Sequence, residues 1–318
     1  SRAIGRIADL SGNQCVDNLL VGFKYIADVI KSLDQKGSYG KVKGSAKDLI
    51  VATEESHGFT MLPTVLDKDG APPVMLLAGL HGRMAAKGKT LLDYYVDVLR
   101  HIGAHDCGGR SIVLKGAAGN ERRDSVMATL RSAPPKELGG QPVTSKADYW
   151  NEADFGAIVS ETDRASRNVM SFETPAFTVV VRPSGTEPKL KLYVLISGGD
   201  LPAGEPREIV AAVKETTAEV SSSVYRSLLA TLGIDVSDSA LALPDIVDLD
   251  ARVGFDKTLA PALRDALTEG LASRAALEDV VRTHGANLTP GSDPVPAVGD
   301  ALRVLAGVEG FEGLNALL

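Results

Sequence analysis

A short polar loop with one arginine and two hydroxyl side chains lies between an apolar run and a run in which polar and apolar residues alternate. Its residues are Arg182, Pro183, Ser184, Gly185, Thr186, Glu187 and Pro188. The guanidinium of Arg182 offers paired donors to phosphate oxygens, and the hydroxyls add further donors. Gly185 lets backbone N–H groups approach an anion, while the prolines stiffen the loop. Taken alone, the loop fits either a phosphate site or a surface hairpin with an ion-paired arginine.

A second polar segment follows a short apolar run at residues 49–52 and reads Glu-Glu-Ser-His-Gly at residues 54–58. Its carboxylate and hydroxyl groups are able to pair with the hydroxyl groups of a sugar. Such groups discriminate between ligands because a wrong ligand leaves them unpaired. A solvated acidic turn has the same composition, so composition alone does not assign the segment a role.

Two other clusters resemble metal sites only superficially. Residues 67–70, Asp-Lys-Asp-Gly, begin like a calcium loop but lack its later ligands, including the closing glutamate. A second cluster has no further Cys/His pair at ligand spacing, which argues against zinc. Its members are His101, His105, Asp106 and Cys107. We therefore predict no metal ligand in this chain.

Composition limits the classes of partner. The chain has 318 residues, of which 44% are hydrophobic, and a formal net charge of −7. The negative charge argues against nucleic acid as a partner. Cys15 and Cys107 are the only cysteines, which fits a reducing cytoplasm and no disulfide framework. No apolar run is long enough to span a bilayer, so we expect no membrane partner.

The segment at residues 54–58 lies in a region where helices and strands alternate. Apolar periodicity predicts helices at 2–11, 24–33, 71–87, 90–102 and 121–130, and strands at 15–19, 49–52 and 111–114. Alternation of this kind predicts an α/β layer domain. We place this domain at residues 1–135.

The loop that begins at Arg182 lies in a region with a different pattern. We predict strands at 143–150, 169–172, 177–182 and 190–196, closed by a helix at 206–232. This order indicates a smaller α+β domain with an antiparallel sheet at residues 136–232. Residues 233–318 form a linker and a helical extension, whose apolar faces must be buried against the preceding domain or against a second subunit. The sequence is therefore compatible with a homo-oligomer formed through this tail.

The motifs together resemble one enzyme family. The spelling R-P-S-G-T-E-P resembles the phosphate-binding loop in the last domain of the phosphoglucomutase/phosphomannomutase family, the α-D-phosphohexomutases. The segment at 54–58 resembles the family's E-E-S-x-G sugar-recognition loop. The Asp-Lys-Asp-Gly segment and the G-F-K-Y-I segment from Gly22 resemble features of the third domain. The resemblance covers roughly residues 1–230 and implies the third and fourth domains of such an enzyme: a mixed-sheet α/β/α domain, then the smaller α+β domain.

The resemblance also implies roles for individual residues. The expected phosphate ligands are Arg182, Ser184, Gly185, Thr186 and Lys68. The expected sugar contacts are Glu54 and Ser56, with His57 at the variable position of the motif and Lys24 as further candidates. The loop shared across the family fixes phosphate and not the sugar, so glucose, mannose and pentose phosphates all stay open.

Enzymes of this family move phosphate between C1 and C6 of a hexose through a bisphosphorylated intermediate such as glucose 1,6-bisphosphate. A phosphoserine donates the phosphate, and Mg²⁺ neutralises charge. The sequence has no match to the family's T-x-S-H-N-P phosphoserine loop and no convincing magnesium loop. We therefore expect no catalytic residue in this chain, no activity by itself, and N-terminal domains supplied in cis or in trans.

Competing interpretations remain at this point. The chain begins at Ser1 without a methionine, and we expect the back part of a longer protein or a processed or truncated one. A non-catalytic sugar-phosphate binding module or a phosphopentomutase-type mutase would show the same motifs. An interaction protein with a vestigial mutase fold is a third hypothesis, and it predicts no affinity for hexose phosphates.

Overall fold

The structure is a computed structural model that describes residues 2–17, 19–54, 58–116, 118–158, 160–185 and 187–318. The helices are α1 Ala3–Leu10, α2 Phe23–Lys36, α3 Ala71–Ala85, α4 Leu91–Ile102, α5 Gly119–Ser132, α6 Glu152–Phe155, α7 Glu161–Arg167, α8 Pro206–Thr231, α9 Asp238–Leu241, α10 Leu249–Gly254, α11 Ala260–Thr268, α12 Arg274–His284 and α13 Gly299–Ala306. The strands are β1 Ser38–Tyr39, β2 Val42–Lys43, β3 Ala52–Thr53, β4 Phe59–Thr60, β5 His105–Val113, β6 Glu137–Leu138, β7 Gln141–Pro142, β8 Ser145–Asp148, β9 Met170–Glu173, β10 Phe177–Pro183 and β11 Lys189–Ser197. The predicted α/β class is confirmed.

The described chain divides into two compact units. The first unit comprises residues 1–107, 152–167 and 195–217, and the second comprises residues 108–151, 168–194 and 218–318. The domain boundaries that we place after residues 135 and 232 stay a prediction. Among the described residues, no helix combines the length and the apolar character that crossing a bilayer requires.

The core of the first unit is built on helix α2. Gly22 precedes the helix with a φ of 123°, a conformation that side chains disfavour. Phe23, Ile26 and Ile30 repeat at helical spacing and are all buried in one cluster. The apolar face predicted for this helix is confirmed, and it fixes the turn at Gly22 against the unit's core.

The strands of the first unit are short and antiparallel. Strand β1 pairs with β2, and β3 pairs with β4, so that Thr53 lies opposite Phe59. The strand predicted at residues 15–19 is wrong for the described residues 15–17 and 19, which have no strand geometry. A strand requires hydrogen bonds to a neighbouring strand, and apolar content alone does not supply them.

A five-stranded sheet in the order β5-β11-β10-β9-β8 carries the predicted phosphate loop. Strands β8 and β10 both pair antiparallel with β9, as the sequence predicts. Along β11 the buried residues alternate with partly exposed ones. The buried residues are Leu190, Leu192 and Val194. This period of two fixes which face of the strand meets the core.

The C-terminal extension, residues 233–318, packs within the second unit. The stretch predicted as a linker is largely folded, with helix α9 and several side chains almost fully buried. They include Val236, Ala240, Leu241, Leu243 and Val247. Packing on the preceding domain was one of the two alternatives for the apolar faces of the tail. A subunit interface stays a prediction.

Arg252 is the largest fully buried side chain of the extension. Its guanidinium donates to the carbonyl oxygens of Ala240 at 2.5 Å, Leu243 at 3.1 Å and Pro244 at 2.9 Å. It therefore satisfies carbonyl groups left open where helix α9 ends. Arg252, the last residue of the Asp-Leu-Asp-Ala-Arg run at 248–252, therefore has a structural role in the extension.

Candidate functional site

The predicted phosphate loop is a hairpin loop between β10 and β11. The backbone N–H of Ser184 donates to the carbonyl of Lys189 at 2.8 Å, and the N–H of Lys189 donates to the carbonyl of Glu187 at 2.7 Å. The side chains of Lys189 and Glu187 form an ion pair at 2.5 Å. The loop is therefore closed by its own backbone, which limits the order it must gain on binding.

Arg182 has an unmet requirement for an acceptor. Its NH2 group donates to the hydroxyl of Tyr193 at 3.2 Å, which aligns the guanidinium along the neighbouring strand. Its Nε is buried and has no hydrogen-bond partner among the described residues. A buried charged donor without an acceptor costs free energy. An anion at the loop would supply that acceptor.

The other loop residues differ in how far the structure accounts for them. Ser184 is buried and Gly185 is exposed. A β-carbon at Gly185 would meet no atom within 4 Å, and its φ is not positive. Glycine therefore leaves space beside the loop and is not required by its backbone conformation. Thr186 lies outside the described residues, and the ligand roles of all three stay a prediction.

A segment that the sequence analysis missed holds the loop at both ends. We call residues 114–123 the β5–α5 turn; Ala117 within it lies outside the described residues. The carbonyl of Pro188 accepts from the N–H of Leu114 at 2.8 Å, and the carbonyl of Ser184 accepts from Arg123 at 3.2 Å. A β-carbon at Gly119 would lie 3.0 Å from Pro188 and only 1.9 Å from the carbonyl oxygen of Leu114. Only glycine fits this contact.

In the first unit, the structure brings together Glu54 and Lys68, two of the predicted site residues. Their side chains form an ion pair at 2.6 Å, with exposed side-chain fractions of 20% and 45%. Glu54 follows strand β3, and its N–H donates to the carbonyl of Gly58 at 3.0 Å. A β-carbon at Gly58 would lie 2.3 Å from the Glu54 side chain. The pair offers one acceptor and one cation side by side.

Lys24 makes different contacts. Its ammonium donates to the hydroxyl of Ser166 at 3.1 Å and lies 4.9 Å from the centre of the Tyr25 ring. Ser56 and His57, the other predicted sugar contacts, lie outside the described residues. The structure therefore assigns neighbours to Lys24 without testing its predicted role.

The predicted absence of metal ligands is addressed only for the described part of the chain. There, no three side chains among His, Cys, Asp and Glu group closely enough to hold a metal ion. His101 and His105 instead contact backbone carbonyls of Asp97 and Gly103 through Nδ1. The described residues thus do not fit a magnesium site, and magnesium stays an expectation from the family resemblance.

Two phosphoglucomutases show which known proteins this chain is similar to in sequence. The chain is 34% identical over 185 residues to a phosphoglucomutase from Staphylococcus aureus strain MRSA252, a match that covers 57% of this chain and 32% of that protein. It is 34% identical over 179 residues to the phosphoglucomutase of strain MSSA476, covering 55% of this chain and 31% of that protein. The chain thus spans about a third of the length of these curated relatives. No protein-family model matches it.

A structural match has the same name but is weaker. The open form of the exocytosis-sensitive phosphoprotein pp63/parafusin, a phosphoglucomutase from Paramecium, superposes with a TM-score of 0.46 at 15% identity. The match covers 74% of this chain and 37% of that one. An overlap of this quality supports no conclusion about the fold. The sequence relationship confirms the predicted resemblance: over 57% of its length, this chain is homologous to phosphoglucomutases, as a partial phosphohexomutase would be.

Proposed function

We propose that this chain is the sugar-recognition and phosphate-anchoring half of a phosphohexose mutase, an intramolecular phosphotransferase that interconverts hexose 1- and 6-phosphates. The buried Nε of Arg182, with no acceptor among the described residues, is the observation that carries the proposal. An anion bound at the loop would give this buried guanidinium N–H an acceptor. The homology to phosphoglucomutases over 57% of the chain supports a sugar phosphate as the class of that anion.

The chemistry of the reaction explains why one fixed phosphate site is useful. The sugar must bind in two orientations so that either phosphate can be transferred, while the phosphate that does not react occupies the same position. Binding free energy from that remote phosphate then orients the reacting one. Arg182, Ser184, Gly185 and Thr186 would form the anchor.

Glu54 and Lys68 would form the second recognition element. A carboxylate accepts hydrogen bonds from neighbouring sugar hydroxyls, and an adjacent ammonium attracts phosphate. With Ser56, they would distinguish sugars by hydroxyl pairing. The phosphoserine and the Mg²⁺ would come from mutase domains outside this chain, and the preferred hexose is not assigned.

The test is isothermal calorimetry of the 318-residue chain at fixed ionic strength with glucose 1,6-bisphosphate, inorganic phosphate and unphosphorylated glucose. We expect the bisphosphate to bind more tightly than inorganic phosphate, and glucose alone not to bind measurably. A coupled assay should detect no glucose 1-phosphate to glucose 6-phosphate conversion. Absence of binding would refute the anchoring role, and turnover by this chain alone would refute the proposed division of labour.

A further inference from the structure

The β5–α5 turn contacts both the phosphate loop and the C-terminal extension. On one side Arg123 and Leu114 hold the loop at Ser184 and Pro188. Consecutive residues of a helix point about 100° apart, so neighbours are able to contact different elements. Arg122 indeed contacts the extension, through the carboxylate of Asp250.

The contacts with the extension involve two aspartates. Asp248 accepts from the backbone N–H of Lys115 at 2.5 Å, and its backbone bridges to Val113 at the end of β5. Both terminal guanidinium nitrogens of Arg122 donate to the carboxylate of Asp250, at 2.7 and 2.8 Å. The same hydrogen bonds lower the pKa of Asp250 and keep its carboxylate charged. The turn is thus fixed by backbone and side-chain bonds together.

A second set of contacts ties the extension to strand β5. Arg110 donates to Asp245 at 2.7 Å and to the carbonyl of Leu241 at 2.7 Å. The other carboxylate oxygen of Asp245 accepts from the N–H of Ser111 at 3.1 Å. Aspartates 245, 248 and 250 therefore contact the successive sites 110–111, 115 and 122, which lead from the strand into the turn.

We propose that the C-terminal extension is a positioning element for the phosphate loop, acting through the β5–α5 turn, so that residues 233–318 set the affinity for the phosphate group. The proposal deepens the proposed function and rests on it for the identity of the ligand. Asp248 and Asp250 act on the turn, and Arg123 passes the constraint to the carbonyl of Ser184. These residues touch no ligand themselves.

The first experiment needs no ligand. Backbone amide hydrogen exchange is followed by NMR in the full chain carrying Asp248→Ala, with the amides of Lys115, Leu114 and Ser184 as reporters. We expect all three to exchange roughly tenfold faster, because the turn opens and the loop with it. Ser273→Ala is the matched control. Asp248 and Ser273 are the N-caps of helices α10 and α12 of the extension, and the Ser273 hydroxyl accepts from the backbone N–H of Ala276 in its own helix.

The control should leave the exchange of the reporter amides unchanged. Faster exchange at Lys115 with a wild-type rate at Ser184 would overturn the proposal, because the turn would then move without the loop. If Asp248→Ala does not fold, the exposed pair of Arg122 and Asp250 gives the same test. Arg122→Asp alone should speed Ser184 exchange, and Arg122→Asp combined with Asp250→Arg should restore it.

The second experiment measures affinity with inorganic phosphate and glucose 1,6-bisphosphate by calorimetry. Asp248→Ala should weaken both roughly fivefold, and Arg123→Gln should weaken them further, because loss of preorganisation costs affinity for any phosphate. Arg123→Lys should recover part of the loss. Wild-type affinity in Asp248→Ala beside faster Ser184 exchange would overturn the role in binding. If the wild-type chain binds neither probe, the proposed function fails. The hydrogen-exchange result then decides by itself whether the extension positions the loop.

Discussion

Replacing Arg182 by methionine should change stability and phosphate binding in opposite directions. In the free protein, Arg182→Met removes a buried Nε that has no acceptor among the described residues, while the volume of the side chain is nearly kept. Removing an unpaired donor relieves its desolvation penalty, but Tyr193 loses the NH2 donor at 3.2 Å. We expect the free energy of unfolding to stay unchanged or to rise by about 1 kcal/mol.

The effect on binding is much larger. A bidentate guanidinium–phosphate contact provides two charge-assisted hydrogen bonds, each contributing about 1.5–3 kcal/mol. Because Gly185 leaves the loop open to water, we take the lower bound, about 3 kcal/mol in total, which is roughly a hundredfold in Kd. Arg182→Lys keeps the charge but loses the planar fork, and should weaken binding roughly tenfold.

The assay is calorimetric titration with glucose 1,6-bisphosphate, paired with urea unfolding of each variant without ligand. Arg303→Ala is the control for loss of one positive charge, since Arg303 is an exposed residue of α13 paired with Asp300 in the same helix. A Kd within threefold of wild type in Arg182→Met would refute the anchor. A large loss of stability in that variant would refute the claim that Arg182 is retained for binding.

Three further predictions concern separate parts of the chain. Gly22→Ala should lower the free energy of unfolding by about 2 kcal/mol in urea, because its φ of 123° is strained for a side chain. Glu54→Gln should weaken glucose 1,6-bisphosphate binding roughly fivefold while changing inorganic phosphate binding less than twofold, because we propose that this carboxylate, paired with Lys68, contacts the sugar. Arg122→Gln should raise the pKa of Asp250, measured by carboxyl-carbon NMR, because hydrogen bonds from Arg122 lower it.

The pH dependence of stability expected from Asp250 follows from the lowering of its pKa. A folded-state pKa below the ordinary aspartate value stabilises the fold at higher pH, and this contribution is lost as the pH falls through the lowered folded-state pKa. Arg122→Gln should remove that acid-range dependence, and an unchanged pKa would contradict the pairing.

For Gly22, the control is Gly79→Ala inside α3, where a β-carbon meets nothing and stability should rise. An equal loss of affinity for glucose 1,6-bisphosphate and for inorganic phosphate in Glu54→Gln would contradict the assignment of Glu54 to sugar recognition.

Local patterns were sufficient to predict the hairpin of β10 and β11 from sequence. The alternation of Leu190, Leu192 and Val194 fixes the inward face of β11, and prolines with glycine mark the loop before it. Strand prediction failed at the described residues 15–17 and 19, because a local sequence pattern does not specify the neighbouring strand that must supply hydrogen bonds. The pair of Glu54 and Lys68 was predicted as two separate ligands, and their contact became visible only in the folded chain.

The β5–α5 turn was missed for a related reason. Arg123 lies 61 residues from Ser184, and Lys115 lies 133 residues from Asp248. Contacts at such separations leave no local periodicity. The available signal was two consecutive arginines in the first turns of a helix, together with paired aspartates in a leucine-rich stretch of the extension.

The most direct test of the central claim is a crystal structure of this chain soaked with glucose 1,6-bisphosphate. We predict one phosphate group against the guanidinium of Arg182, in hydrogen-bond contact with its Nε and with the backbone at Gly185. Well-defined ligand density at another place, with the Nε of Arg182 still lacking an acceptor, would contradict the account.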